Sequence, residues 1–541
     1  MSIRPPVLVR RRRGASSCRD FDMITFRYMR RAAPWLALAL ALPIAAPVQA
    51  AASDQPPAWD EVPAAMGRAK PDLVLTGTID GKDFQHNIAV PFDVPKDVEQ
   101  IGVDLEYTKP DGKTVIDLGL FDGERFRGWS GSNKHAVVLG ETNATPSFLP
   151  GPVGGRHWAL DLGISYAGEG VTSRYTAKIW FWRHGDRPAV STFSPAPLEN
   201  DARWYRGDFH MHTGESDGFC ASRKGRDVPC PLYKTVEAAE NAHLDFIAMT
   251  DHNNVAHYNA MRELQPYFDD VLLIPGREMT TFQGHANIFG TTEYVDYRLG
   301  SPAAPDMAAI FRQAAEAGAL ISINHPTSPT DFSCRGCGWS APDDATRYVS
   351  AMEAMNANNL WKQIAGGDSG ADIARWEQEL AKGRRLTALG GSDNHDVQLG
   401  HLGIGFPTTL VYAANLSERA ILDAMKAGHV WVDMTGAMGH SFDLRARSGA
   451  QAGIIGDNFA VAAGQKLSLA IHVGGSEGAA LVGIVDGKPV PALSMDRIGS
   501  NSADIGFDWN GDGGRHWIRF EVRHGRQKLL FTNPVYVNFA S

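Results

Sequence analysis

Two histidines one residue apart, His210-Met211-His212, open a series of polar side chains suited to holding metal ions. On an extended segment every second side chain points the same way, so both imidazoles face one side. Two neutral imidazoles on one face grip a divalent ion well. Similar groups follow: Asp217, Thr250-Asp251-His252, Arg277-Glu278, Gly284-His285, Asn324-His325-Pro326 and Ser392-Asp393-Asn394-His395. Nine of the chain's 18 histidines fall between His210 and His401. Mixed imidazole and carboxylate ligands suit zinc, manganese or iron, and a carboxylate can bridge two ions. The candidate ligands are His210, His212, Asp217, His252, Glu278, His285, His325, Asp393 and His395. A lone histidine is more often structural, but a set of this kind at strand ends points to a metal site. His243, His257 and His401 lie outside the pattern and read as surface or packing residues.

These residues need elements to position them. From Tyr205 to about Met434, short apolar strands alternate with helical segments. Leu244–Thr250 reads as a buried strand after the helical segment Thr235–Ala242. Val271–Pro275 reads as another strand. Pro305–Gly318 reads as a helix before the strand Ala319–Ile323, and Asp372–Lys382 as a helix before Leu386–Leu389. Repeated units of this kind imply a parallel sheet or barrel, with active residues at the C-terminal strand ends. Residues 52–197 read differently, as alternating strands such as Asp72–Ile79, Ile101–Tyr107 and Tyr175–Trp182. Turn pairs such as Asp80-Gly81 and Asp111-Gly112 separate them, which predicts a β-sandwich. A Pro-containing linker, Ser194–Leu198, follows. After Met434 strands return, in Leu467–Val473, Ala480–Val485 and His516–Val522, predicting a second β-sandwich.

The N-terminus carries its own signal. Met29-Arg30-Arg31, a short apolar run over 32–46 and the small-x-small triplet Val48-Gln49-Ala50 read as a secretory leader spanning residues 1–50. Translation from Met23 or Met29 would leave residues 1–22 as an upstream extension. The apolar run is too short for a comfortable membrane span. The whole chain has 52 basic and 61 acidic residues. Removing the leader takes away nine arginines and two aspartates and moves the net charge from −9 to −16. That balance argues against a nucleic-acid binder, which carries a basic face. It fits an acidic protein exported to the periplasm or medium, with no membrane span once the leader is cleaved. Cys220, Cys230, Cys334 and Cys337 remain. Their even number in an exported protein favours disulfides, Cys220–Cys230 and Cys334–Cys337 by proximity, with a four-thiolate zinc site as the competing reading.

The motif order resembles the polymerase-and-histidinol-phosphatase (PHP) superfamily, and within it the secreted, carbaryl-hydrolase-like branch. The segments that carry the match are DFHMHTGESDG, LDFIAMTDHNN, GREMTTFQGHANIFG, SINHP and GGSDNHD. They cover about residues 203–435. The resemblance implies a multidomain α/β-plus-β protein: a distorted (β/α)7 barrel over 198–435, between sandwiches at 52–197 and 436–541. It also implies two or three divalent ions. His210, His212, Glu278 and Asp393 would hold the first. Glu278, His285 and His325 would hold the second, with Glu278 as bridge. Asp217, His252 and His395 would hold the third. Asp217 stands where many relatives have histidine, and the insertion Phe219–Pro231 is outside the minimal pattern.

The implied activity is hydrolysis of a small-molecule phosphoester, a phosphodiester in preference to a monoester. A hydroxide bridging two ions would attack phosphorus. A third ion, or His395 or Asp393, would ease the leaving oxygen away. Asp251 reads as a partner of a ligating imidazole or as a helix cap. Arg277, Lys224, Arg226 and Arg335 are candidates to hold an anionic substrate, and Tyr233 and Trp339 to wall the pocket. The competing enzyme is a carbamate, ester or amide hydrolase using the same hydroxide on a carbonyl carbon. The competing non-enzyme is a secreted binding protein, which the intact ligand set argues against.

Overall fold

The computed structural model describes residues 70–540, apart from 124, 185, 187–192, 195, 331–335, 368, 369 and 437. The expected leader, Cys334 and Arg335 lie outside the described residues. Among the described residues no helix is long and apolar enough to cross a membrane.

The first strands form two four-stranded antiparallel sheets. One runs in the order Leu73–Asp80, Thr172–Arg183, Val98–Tyr107, Ala136–Gly140. The other runs Asn87–Val94, Arg156–Ala167, Thr114–Asp122, Arg125–Trp129. Strict alternation explains how they pack. Ile116, Leu118 and Leu120 on one sheet and Val103, Leu105 and Ile179 on the other turn inward and share a single core.

The site is carried by a second, larger sheet. Its strands are β1 (Arg203–Asp208), β2 (Phe246–Met249), β3 (Leu272–Thr281), β4 (Gly284–Phe289), β5 (Leu320–Ile323), β6 (Ala351–Asn356), β7 (Thr387–Gly391), β8 (Thr408–Ala413) and β9 (Val430–Asp433). Their spatial order is β7-β6-β5-β4-β3-β2-β1-β8-β9. Continuous apolar runs mark strands buried on both faces. In β2 all of Phe246, Ile247, Ala248 and Met249 are buried. Helices α1 (Leu232–Asn241), α2 (His257–Leu264), α3 (Met307–Glu316), α4 (Ala357–Ile364), α5 (Ala371–Ala381) and α6 (Glu418–Ala427) connect them. Local signals set the helix ends. Asp306 caps α3 by accepting from the Ala309 amide at 2.7 Å, and Gly428 closes α6 in the left-handed region at φ 83°.

The expected (β/α)7 barrel, and with it the α/β class between two separate sandwiches, is overturned. β3 and β4 are joined as a hairpin rather than by a crossover helix, and β4 also runs antiparallel to β5. β8 returns antiparallel to β1. β9 then pairs with Gln527–Thr532, so the sheet continues into C-terminal strands instead of closing. Among the described residues, β7 forms no ladder with β1; past their ends isolated bridges join Met211 with Asn394 and Phe219 with Asp396. The chain is mostly strand, arranged in several sheets. The hairpin explains the misreading. The turn Phe282-Gln283 is too short for the helix that the βα rhythm predicts. A further sheet, ordered Gln451–Ile454, Ser441–Ser448, Lys466–Gly474, Ser502–Asn510, packs on the C-terminal strands of the large one over a common core.

Candidate metal centre

The end of β1 fixes the first two histidines. Asp208 is fully buried, and burial pushes its carboxyl up to about 6. It accepts from the His210 and Ser392 amides at 3.1 Å each and from the Gly405 amide at 2.8 Å. The Asp393 amide donates to the His210 carbonyl, and the His212 amide to that of Asn394, both at 2.9 Å. One buried carboxylate and a few backbone bonds therefore register the His-x-His segment against the Asp-x-His segment.

The nine predicted side chains converge. Glu278, in β3, is fully buried at the centre. Its Oε1 lies 3.4 Å from His210 Nε2, 3.3 Å from His285 Nδ1 and 3.4 Å from His325 Nε2. Its Oε2 lies 2.8 Å from His252 Nδ1 and 3.6 Å from His212 Nε2. Asp393 Oδ1 is 3.1 Å from His212 Nε2 and 3.3 Å from His210 Nε2. Asp217 Oδ1 is 3.4 Å from His395 Nε2 and 3.7 Å from His252 Nε2. His212 packs against both His252 and His395, with ring centroids 4.3 and 4.1 Å away. Among the groups whose ligand atoms all lie within 4.8 Å of one another are His210-His212-Asp393, His210-Glu278-His325 and His212-Asp217-His252-His395. His285 groups instead with His325 and Cys337. Cys337 is disulfide-bonded and offers no thiolate.

The imidazoles and carboxylates of the cluster strongly perturb one another. Burial works against charge on Glu278 and Asp393, yet the adjacent imidazoles hold both well below the usual carboxylate range. Burial likewise opposes protonation of His325 and His395, yet the carboxylates beside them push both up to about 9. His212, desolvated and beside two other imidazoles, is driven down to about 4. Several buried ring nitrogens make no hydrogen bond: both of His285, and Nδ1 of His212 and His325. Imidazole nitrogens converging on buried carboxylates in an all N and O donor set, with His285 Nδ1 unbonded 3.3 Å from Glu278, fit divalent ions. His325 and Asp393 also adopt positive φ, 25° and 52°, a conformation non-glycine residues rarely hold without a local demand.

The cluster opens into a cavity of about 640 Å³ whose lining includes Asp217, His252, Glu278, Thr280, His285, His325, Ser328, Asn358, Lys362, Asp393 and His395. Exposed Phe219, Phe282 and Trp361 belong to the segments that bring these lining residues. Asp217 is positioned by the insertion. The Gly214 amide donates to the Cys230 carbonyl at 2.7 Å, and the Phe219 amide to that of His395 at 2.7 Å. A Cys220–Cys230 disulfide closes the hairpin Phe219–Ala221 to Asp227–Pro229.

Other predicted residues are placed elsewhere. Asp251 touches no ligating imidazole and caps no helix. It accepts from the Thr213 amide at 2.8 Å, the Thr213 hydroxyl at 2.7 Å and the Ser216 hydroxyl at 2.5 Å, bracing the loop that carries Asp217. Arg277 is buried facing away from Glu278, with Nη2 on the Glu293 carbonyl. Tyr233 packs on Tyr267 and Phe268, and Trp339 stacks on Phe311. Lys224 and Arg226 lie on the disulfide hairpin's exposed turn. His257 is buried against the Gly276 carbonyl, and His243 is exposed.

Sequence reasoning missed Glu353, whose Oε1 meets His210 Nδ1 at 2.5 Å, and Asn324, which donates to Glu278 Oε1 at 2.8 Å. It also missed Lys362 and Asn358 on the cavity wall. The available signal for Glu353 was one carboxylate in the otherwise uncharged run Ala351–Asn356.

No family model matches the chain, and no curated protein matches it. Among solved structures, a candidate metal-dependent phosphoesterase from Bifidobacterium adolescentis is similar at 14% identity, covering 35% of this chain and 87% of its own, with TM-score 0.24. A CARDB domain from Pyrococcus furiosus covers 19% of this chain and 97% of its own at 12% identity and TM-score 0.13. A β-glucuronidase from Bacteroides uniformis covers 89% of this chain and 76% of its own at 7% identity and TM-score 0.20. At such TM-scores none of these likenesses carries an argument about the site.

Proposed function

We propose that the chain is an exported, metal-dependent phosphoesterase acting on a small phosphodiester, with PHP-like chemistry. The observation that carries this reading is the convergence of six imidazoles and three carboxylates, with orphaned ring nitrogens, beside an open cavity. His210, His212, Glu278 and Asp393 would hold one ion, Glu278, His285 and His325 a second, and Asp217, His252 and His395 a third. Bound manganese, zinc or iron ions would supply Lewis acidity at the phosphoryl oxygen and a hydroxide at neutral pH.

The chain's own residues supply the rest. Lys362 is the one Lys or Arg among the described lining residues, which suits the single charge of a diester better than a monoester dianion. Where no third ion is held, His395, beside Asp217 on the more open side of the cluster, would instead pass a proton to the leaving oxygen. Asp393 holds His212 by a direct contact, and Asp251 steadies the loop bearing Asp217. The Cys220–Cys230 disulfide is compatible with an oxidising compartment outside the cytoplasm. Residues 52–197, 198–435 and 436–541 are the proposed domain divisions, with no nucleic-acid or membrane partner.

A second reading, hydrolysis of an aryl carbamate or ester, draws on the exposed Phe219, Phe282 and Trp361 beside the lining segments. Assaying the manganese- or zinc-loaded protein on bis(p-nitrophenyl) phosphate, p-nitrophenyl phosphate and an aryl carbamate separates the two. Diester turnover is expected. Carbamate turnover without diester turnover would replace the first reading by the second.

A further inference from the structure

Glu353 lies in β6, where every residue from Ala351 to Asn356 is buried. It is not among the cavity-lining residues, so it meets no substrate. Its two oxygens divide their work. Oε1 lies 2.5 Å from His210 Nδ1. Oε2 accepts from the backbone amide of His325 at 2.8 Å and from Asn356 Nδ2 at 3.2 Å. A carboxylate at Nδ1 keeps a proton there, which leaves Nε2, 3.4 Å from Glu278 and 3.3 Å from Asp393, as the nitrogen to offer an ion. The room for this contact comes from Gly391 in β7, where an added Cβ would fall onto the Glu353 carboxylate and the His210 Cβ.

We propose that Glu353 is a positioning residue that sets the spacing of two neighbouring ion positions. It does so by holding His210 through the ring and His325 through the backbone. The inference rests on the metal-site reading above. It adds a coupling: one carboxylate, through two different contacts, orients a ligand of each of two positions. The third group, His212-Asp217-His252-His395, receives no bond from Glu353.

The test is metal binding by the full-length chain, without substrate. Wild type, Glu353→Gln and Glu353→Asp are titrated with Mn(II) and Co(II), with calorimetry for affinity and the cobalt visible spectrum for ligand geometry. Glutamine keeps the size and can still accept from the His325 amide. It then turns its NH2 toward His210 Nδ1, which forces the proton onto Nε2. Two ions are expected to weaken by about 10- to 100-fold each in Glu353→Gln, the range for outer partners of metal ligands. The third ion and the circular dichroism spectrum are expected to be unchanged. Gly391→Ala, which crowds the same carboxylate from the other side, is expected to weaken the same two ions and serves if Glu353→Gln fails to fold. Unchanged affinity in a folded variant, or weakening confined to one ion, overturns the proposal. A wild-type chain that binds no ion would instead overturn the metal-site reading itself.

Discussion

Two buried clusters of charge sit in this molecule and obey different rules. One lies between α5 and the C-terminal strand His516–His524. Arg519 donates to Glu377 at 2.8 Å through Nε and to Glu521 at 2.7 Å through Nη1, and Arg523 donates to the other oxygen of Glu521 at 2.6 Å. Opposite charges alternate, and each guanidinium donates to carboxylate oxygens by charge-assisted hydrogen bonds. The other cluster is the histidine–carboxylate group. There His210 Nε2 and His212 Nε2 face each other at 3.2 Å, His212 packs against two more imidazoles, and ring nitrogens lack partners. The first cluster is complete in itself and fastens two elements together. The second crowds imidazoles together around Glu278 and Asp393 and leaves ring nitrogens without partners, so protons in the metal-free state, or divalent cations in their place, are needed to complete it.

If that contrast is right, its halves fail differently. The largest effect is expected from Glu278→Gln, which removes the central carboxylate. Metal content should fall, and hydrolysis should drop by about a thousandfold or more, since ion-borne charge stabilisation is worth several kcal/mol. Thermal stability of the metal-free protein should change little by comparison. Metal analysis after gel filtration, with rates on a diester, checks it. Arg519→Met should do the reverse. It leaves half-buried Glu377 without its guanidinium and Glu521 with Arg523 alone, a cost of about 1–3 kcal/mol in chemical denaturation, while the number of bound ions stays the same.

The pH response sharpens the comparison further. In the metal-free protein His325 and His395 hold protons up to about pH 9. Ions must displace those protons, so affinity should rise with pH until about 9 and flatten above it. Calorimetry at pH 7 in two buffers of different ionisation enthalpy should reveal proton release, and its absence would contradict this reading of the cluster. In the metal-free protein the same raised values stabilise the fold below the ordinary histidine range near 6.5, a contribution lost as pH rises through about 9. The smallest effect is expected from Asp217→Asn, because Asp217 is the most exposed of the nine residues and belongs to one group only. It should cost one ion at most and leave the other two in place.

How far the sequence revealed this site follows from spacing and locality. His-x-His, Asp-x-His and the strand ends that carry them are local patterns, so the nine side chains could be named together. Helix positions were legible for the same reason: Pro305–Gly318 was expected and Met307–Glu316 is found, trimmed by the Asp306 cap. The sheet's topology was not legible. A βα rhythm does not say whether β3 turns back on itself, and only the pairing of Glu278 with Asn287 shows that it does. Glu353 was hidden because its role is non-local. It bonds a residue 143 positions earlier in the chain, and nothing near it in sequence suggests a partner. Asp251 was named for its proximity to His252, but its side chain faces the Thr213–Ser216 loop instead.

The convergence of strand ends has a thermodynamic side. The candidate ligands run from His210 to His395 and come from segments that meet only when the large sheet is assembled. An unfolded chain cannot gather them, so on the proposed reading ions would bind the native state almost exclusively, each as a reversible cross-link between distant parts of the chain. Ligand at a hundred times its dissociation constant adds about 2.7 kcal/mol per site to the unfolding free energy. The melting temperature of this protein should therefore report the free metal concentration around it, and a chelator should act as a denaturant without touching a single hydrophobic contact.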